Sequence, residues 1–242
     1  MIVDIDIGNT RAKYRVEGVA GGTVISCPHA ELPTAILALM PEQGACIVRV
    51  ACVANSELMR QLELALVIKS NVRLTKIGSS RYCAGVTNSY AEPERLGVDR
   101  WLAMIAAFHR FREPCIVIDA GSAVTLDVID ESGLHLGGWI CPGLSMMRTS
   151  LLQGTAGVRF ERPAQVDVAL GRATAEAVYN GTLAMMAGWL NRSVTALLEK
   201  SGNTHIVLSG GDAGQLRSYL DFAFTSWPHI VLDAIALVPG DQ

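Results

Sequence analysis

Apolar residues recur along the chain in two periods, short β-branched runs of strand character and longer stretches repeating every three to four positions. Their order predicts a mixed α/β protein. The clearest strand signal is Cys115 to Ile129, CIVIDAGSAVTLDVI, where an apolar run stops at Asp-Ala-Gly-Ser and resumes as an alternating strand. The same pattern opens the chain, where Ile2 to Ile7 carries Asp4 and Asp6 and ends in Gly8, Asn9 and Thr10. Residues 1 to 26 read as strands broken by turns at Gly8 and at 18–22, followed by a helix from Glu31 to Met40. Next come a buried strand from Cys46 to Val53, a helix capped by Asn55 and running to about Leu66, and a strand from Val72 to Ile77. Tyr90 to Arg100 is polar and irregular as far as Gly97. Beyond it, Trp101, Met104, Ile105 and Phe108 fall at helical spacing, so Asp99 and Arg100 lie in a first helical turn. A strand ending at Pro142 and a helix from about Leu144 to Leu152 follow, then an aperiodic loop from Gln153 to Asp167. Thr174 to Lys200 reads as one long helix with small residues Ala177, Gly181, Ala184 and Gly188 on one face, a packing surface between domains or between subunits. His205 to Ser209 is a strand that stops at Gly210, Gly211 and Asp212, where a nucleotide's adenosine can rest.

Two glycine-turn hairpins, one at the start and one near the middle, predict a duplicated unit with a cleft between the copies, and hence domains at 1–114 and 115–242. Asp6 and Asp119 are the equivalent acids of the two copies. Glycine lets backbone N–H groups approach a phosphate, the hydroxyls of Thr10, Ser122 and Thr125 donate to its oxygens, and the acids hold Mg²⁺ directly or through water. Lys13 stands three residues beyond Thr10, within reach of a phosphate at the turn. Either turn taken singly also suits an ordinary hairpin, and a carboxylate at position 99 also suits a helix N-terminus.

Composition narrows the function classes. Half of the residues are hydrophobic and the mean hydropathy is +0.31, enough for a sizeable core. No apolar run has the length of a membrane span, and the first residues enter a strand without a basic leader, so a soluble cytoplasmic protein is expected. The net charge of −3 with dispersed Lys and Arg offers no basic stripe for nucleic acid. Six cysteines without a C-x-x-C pair read as reduced core residues, and five scattered histidines form no zinc pattern. A P-loop is absent from the sequence.

With these motifs assembled, the chain resembles the type III pantothenate kinases of the acetate kinase, sugar kinase, Hsc70 and actin superfamily. The resemblance rests on DIGNT at Asp6 to Thr10 with Lys13, Tyr90 followed by LGVDR at Leu96 to Arg100, and DAGSAVT at Asp119 to Thr125. It continues through GGWICPG at Gly137 to Gly143, G-x-x-T-x-x-A-x-x-x-G from Gly171 to Gly181, and GGD at Gly210 to Asp212. It implies two duplicated ribonuclease H-like domains of actin-like ATPase type and transfer of the γ-phosphoryl group of ATP to pantothenate, the first step of coenzyme A biosynthesis. It further implies that Asp6, Ile7, Gly8, Asn9, Thr10, Arg11, Ala12, Lys13 and Ser122 contact ATP, with Mg²⁺ near Asp6. Asp119 would hold a monovalent cation, K⁺ or NH₄⁺. Tyr90, Gly97, Val98, Asp99, Arg100 and Thr174 would contact pantothenate, with Asp99 the proton acceptor. A homodimer is implied, with the substrate pocket at the subunit interface. Ser122 stands where the family usually has Thr and keeps the hydroxyl, whereas TAGV at 155–158 departs from the family's Leu-Pro ending. The same residues would also serve another phosphotransferase of this superfamily, or a nucleotide-binding regulator without turnover.

Overall fold

A computed structural model of the chain describes residues 1–17, 22–53, 56–155, 159–201 and 203–238. The expected Asn55 cap, most of the turn at 18–22 and most of TAGV lie outside them. The chain divides into two compact units, one of residues 1–112, 132–135 and 229–242, the other of 113–131 and 136–228.

The first unit is built on strands β1 (Ile2–Ile7), β2 (Ala12–Val16), β3 (Ile25–Cys27), β4 (Cys46–Cys52) and β5 (Val72–Ile77), in the spatial order β3-β2-β1-β4-β5. β1 runs antiparallel to β2 and parallel to β4, so two hairpin connections are followed by helical crossovers. Those helices are α1 (Leu32–Leu39) and α2 (Ser56–Val67). Val3, Ile5 and Ile7 point to them, packing with Leu32, Ile36, Leu58 and Leu62. The two-residue period of a strand therefore turns Asp4 and Asp6 to the other face. A short hairpin, β6 (Tyr82–Cys83) with β7 (Val86–Thr87), precedes α3 (Val98–Phe111), which crosses that other side against β4.

Asp4 is fully buried there, bonded by Arg49 through two contacts of 2.6 and 3.0 Å and flanked by Arg15. Burial pushes its carboxyl up, opposed by the hydrogen bond and charge of Arg49. Arg15 also grips Asp233.

The second unit repeats the plan with β8 (Cys115–Ala120), β9 (Ala123–Ile129), β10 (His135–Pro142, whose first residue still belongs to the first unit), β11 (His205–Ser209) and β12 (Thr225–Ser226), in the order β10-β9-β8-β11-β12. β8 is again antiparallel to its hairpin partner and parallel to the strand on its other side. The copies correspond closely enough that Asp6 and Asp119 are each the penultimate residue of a central strand. Helices α4 (Leu144–Gly154), α5 (Thr174–Ser201) and the single turn α6 (Ala213–Leu216) complete this unit, with Leu144, Leu183, Leu190 and Leu216 in a core around Ile116, Ile118 and Leu126. The last helix, α7 (Ile230–Ile235), belongs to the first unit, where it packs on α3 and β1.

The small-residue face of α5 is resolved by this arrangement. Leu183, Ala187, Leu190 and Val194 form the buried row, and Gly181 and Ala184 sit on the far side of the helix. Ala177, Gly181, Ala184 and Gly188 are all exposed, and a β-carbon built at either glycine meets nothing within 4 Å. No other part of the described chain covers this face.

Candidate active site

The turn after β1 closes by a hydrogen bond from Gly8 N–H to the Arg11 carbonyl at 3.2 Å, which bends the chain tightly around Asn9 and Thr10. Asn9, Thr10 and Arg11 are exposed, while Ile7 and Ala12 are anchored in the core. Two neighbours fix the loop from outside. Arg11 donates to the hydroxyl and the carbonyl of Ser26 at 2.9 and 3.0 Å, and the His29 ring lies 2.9 Å from the Gly8 carbonyl. Arg11 is thereby directed at β3. Lys13 stands opposite Asp6 in the β1–β2 register, so acid and base share the face of the sheet on which α3 lies.

At the start of α3, Gly97 occupies the N-cap position, its carbonyl accepting from Trp101 N–H at 3.0 Å. Asp99 accepts the backbone N–H of Arg100 at 2.8 Å. Arg100 is buried, donates to the Tyr90 hydroxyl at 3.0 Å and lies 5.9 Å from that ring's centre. Tyr90 stacks in turn on His135, ring centroids 6.0 Å apart, and the Ser89 Oγ lies 3.3 Å from the histidine Nδ1. Beneath them Asn88 is fully buried, accepting from Tyr90 N–H at 3.0 Å and donating to the carbonyls of Ser80 and Pro93. Five of the six residues expected to meet pantothenate, Tyr90 and Gly97 to Arg100, thus form one assembly in the first unit. Asn88 and His135 belong to it as well, and the sequence carries no pattern around either that marks them.

In the second unit the turn after β8 is closed by Gly121 N–H donating to the Ala123 carbonyl at 3.0 Å. Asp119 lies level with Thr125 of β9 and Ser209 of β11, so one carboxylate and two hydroxyl residues share a face at the strand ends. Two further glycines press on this point. Gly143 donates to the Ser122 carbonyl at 3.0 Å, and a β-carbon there would stand 2.6 Å from that same oxygen. Gly210 has φ +96°, and its β-carbon would fall 2.5 Å from the Ala120 nitrogen. The glycines of GGWICPG and GGD therefore let two backbone segments lie directly against the DAGS turn. Thr174, exposed, begins α5 in the same unit.

Comparison with known proteins gives this geometry its context. The profile of the type III pantothenate kinase family matches residues 2–196. The type III pantothenate kinase of Pseudomonas aeruginosa (strain LESB58) is 37% identical over 254 aligned residues, covering 98% of both chains. The chain belongs to the type III pantothenate kinase family. A second relative bearing that name, from Alcanivorax borkumensis, is 36% identical across the whole length of both proteins. Among solved structures, the ethanolamine utilization protein EutJ from Carboxydothermus hydrogenoformans covers 98% of the chain at 14% identity with a TM-score of 0.53, a likeness of fold alone.

Membership in a kinase family means ATP accompanied by a divalent metal. Asp6 and Asp119 offer hard carboxylate oxygens, and among the described residues no group of three or more His, Cys, Asp or Glu side chains could hold an ion by itself. The family resemblance implies an ATP contact at Ser122, which remains to be tested. Ser122→Ala is accordingly expected to weaken ATP binding several-fold, the loss of one neutral hydrogen bond of about 0.5–1.5 kcal/mol, and Ser122→Thr to be tolerated. Titration calorimetry with an unreactive ATP analogue checks both, and equal affinity of the Ala variant and the parent would remove Ser122 from the site.

Proposed function

We propose that this pantothenate kinase works with Asp99 as its general base, the glycine hairpin at Asp6 to Lys13 and the Ser122 turn on ATP, and Tyr90, Arg100 and Thr174 on pantothenate. The enzyme phosphorylates pantothenate at the expense of ATP in coenzyme A biosynthesis. The observation that carries the residue-level reading is the assembly at the start of α3, where a carboxylate stands beside a buried arginine locked to a tyrosine. Arg100 offers a fixed cation to an acidic substrate, and Tyr90 holds it in one orientation. Asp99 accepts the proton of the primary hydroxyl as its oxygen attacks the γ-phosphorus. The bond between that phosphorus and the β–γ bridging oxygen breaks, and ADP leaves with the electron pair. Backbone N–H groups of the Gly8 turn and the hydroxyl of Ser122 position the phosphates. Asp6 would hold Mg²⁺, which would supply positive charge against the phosphates, and Asp119 would hold a monovalent cation, K⁺ or NH₄⁺.

No helix among the described residues is long and apolar enough to cross a membrane. We place the enzyme in the cytoplasm, in keeping with its free cysteines. A coupled assay of ADP release with ATP and Mg²⁺, with and without pantothenate and with and without K⁺, tests the reading. Pantothenate-dependent turnover supports it, and ATP consumption indifferent to pantothenate would overturn it.

The uncovered face of α5 supports a homodimer. Ala177, Gly181, Ala184 and Gly188 leave room for a helix of a second copy to approach closely, and Met185 on the same helix is 59% exposed. Gly181→Leu meets open space within one chain, so it should leave the fold intact while weakening the dimer by overpacking. Light scattering across a dilution series reads this directly. A fully active monomer in the parent, or an undisturbed dimer in the variant, would show that this face is not the interface.

A further inference from the structure

We propose that Arg81 is a positioning residue of the pantothenate site, its guanidinium bridging the carbonyls of Asn88 and Ala91 so that Tyr90, held between them, stands against Arg100. The inference rests on the reading of Tyr90 and Arg100 as pantothenate contacts. It begins at the β6–β7 hairpin, whose tight turn is made by Ala84 and Gly85 at φ +49° and +95°. Pairing runs one residue beyond the two strands, since Asn88 N–H donates to the Arg81 carbonyl at 2.9 Å. The polar segment 79–81 is thereby brought alongside the loop that leads into α3.

Side chains then tie that loop to the segment at both ends and in the middle. Ser79 Oγ donates to the Leu96 carbonyl at 2.7 Å, and Asn88 Nδ2 donates to the Ser80 carbonyl at 3.2 Å. Arg81 holds the middle, Nη1 donating to the Asn88 carbonyl at 2.7 Å and Nη2 to the Ala91 carbonyl at 3.0 Å. A planar fork with two donors fixes the separation of two carbonyls, which a single ammonium cannot do. The N–H of Tyr90 is pinned to Asn88 Oδ1 at 3.0 Å, so the backbone on both sides of the tyrosine is set and its hydroxyl meets Arg100 Nη1 at 3.0 Å. Arg81 touches no reacting atom in this scheme. It is exposed, so trimming its side chain opens no core cavity and removes the fork alone.

The test compares Arg81→Ala and Arg81→Lys, each alone and combined with Tyr90→Phe, in the full-length enzyme, by separate KM values for pantothenate and ATP and by hydrogen–deuterium exchange. Ala and Lys should both raise KM for pantothenate about five- to tenfold, the scale of a lost hydrogen bond to a charged group, with KM for ATP within about twofold of the parent. Lys fails alongside Ala because it keeps the charge and loses the fork. In the Tyr90→Phe background neither change should add more than about twofold, since the hydroxyl that Arg81 positions is already gone. Exchange across residues 88–96 should quicken about tenfold in both Arg81 variants, while residues 115–129 exchange as in the parent. A Lys variant with parental KM would mean that charge alone acts, and full additivity with Tyr90→Phe, or both KM values rising together, would mean that Arg81 only stabilises the fold. Each of these results would overturn the proposal, as would unchanged exchange in both variants. Parental KM for pantothenate in Tyr90→Phe alone would overturn the reading of Tyr90 as a contact instead, and the exchange rates would still decide whether Arg81 holds the loop.

Discussion

Asp99→Asn should lower kcat by about 10²- to 10⁴-fold while leaving the affinity for an ATP analogue close to that of the parent. Asparagine keeps the shape of the side chain and an oxygen to accept the Arg100 N–H, the bond the carboxylate makes at 2.8 Å, so the start of α3 should stay folded. What asparagine cannot do is take a proton from an alcohol. The comparison matters because a carboxylate in a first helical turn also stabilises the helix by its charge, an effect of about 0.3–1 kcal/mol that needs no catalytic role. A helix-start carboxylate predicts a slightly lower melting temperature and near-parental kcat; a general base predicts the reverse. Steady-state kinetics together with circular dichroism separate them. Loss of ATP affinity with kcat intact would mean that the helix start faces the nucleotide and that the acceptor lies elsewhere.

Gly210→Ala is expected to be among the most damaging single-methyl changes in the chain. Its backbone holds φ at +96°, a conformation costing a non-glycine residue about 1–3 kcal/mol, and the added carbon would stand 2.5 Å from the Ala120 nitrogen. That neighbour is backbone of a central strand and cannot rotate away, so an overpacking cost of about 1–3 kcal/mol comes on top. Together these amount to about 2 kcal/mol or more, and the melting temperature should fall by about 4–8 °C or more. Because the displaced segment carries the Asp212 N–H bonded to Ala120, ATP affinity should fall with it. Thermal melting with and without an ATP analogue measures both, and a variant that melts and binds like the parent would show that the two segments do not lie this close.

Much of this was legible in the sequence because the relevant interactions are local. The hairpins at Asp6 and Asp119 are written in an apolar run followed by a glycine turn, and the structure keeps strand, turn and strand at both places. The start of α3 was equally plain, since Gly97 and the apolar spacing after it suffice to begin a helix. The β6–β7 hairpin was not legible, for it is two strands of two residues each and presents too few positions for alternation to show. Nor was α7, whose sequence Ile-Val-Leu-Asp-Ala-Ile has the look of a strand and becomes a helix by packing on α3 and β1. The ion pair of Asp4 with Arg49, the stacking of Tyr90 on His135 and the bond from Asp212 N–H to the Ala120 carbonyl all join residues far apart in the chain. A single sequence holds no periodic trace of such pairs.

The return of α7 to the first unit bears on how the protein is made. The N-terminal half emerges from the ribosome long before residues 230–235, yet those residues supply Ile230, Leu232 and Ile235 to its buried interior and the Asp233 carboxylate to Arg15. Until they arrive, the nascent half presents an apolar surface beside α3 with nothing to bury it. The ancestral duplication visible in the two sheets is therefore not a line along which the chain can be cut. A fragment ending at residue 112 would emerge as an aggregation-prone species, and supplying the C-terminal segment in trans would be the natural way to rescue it.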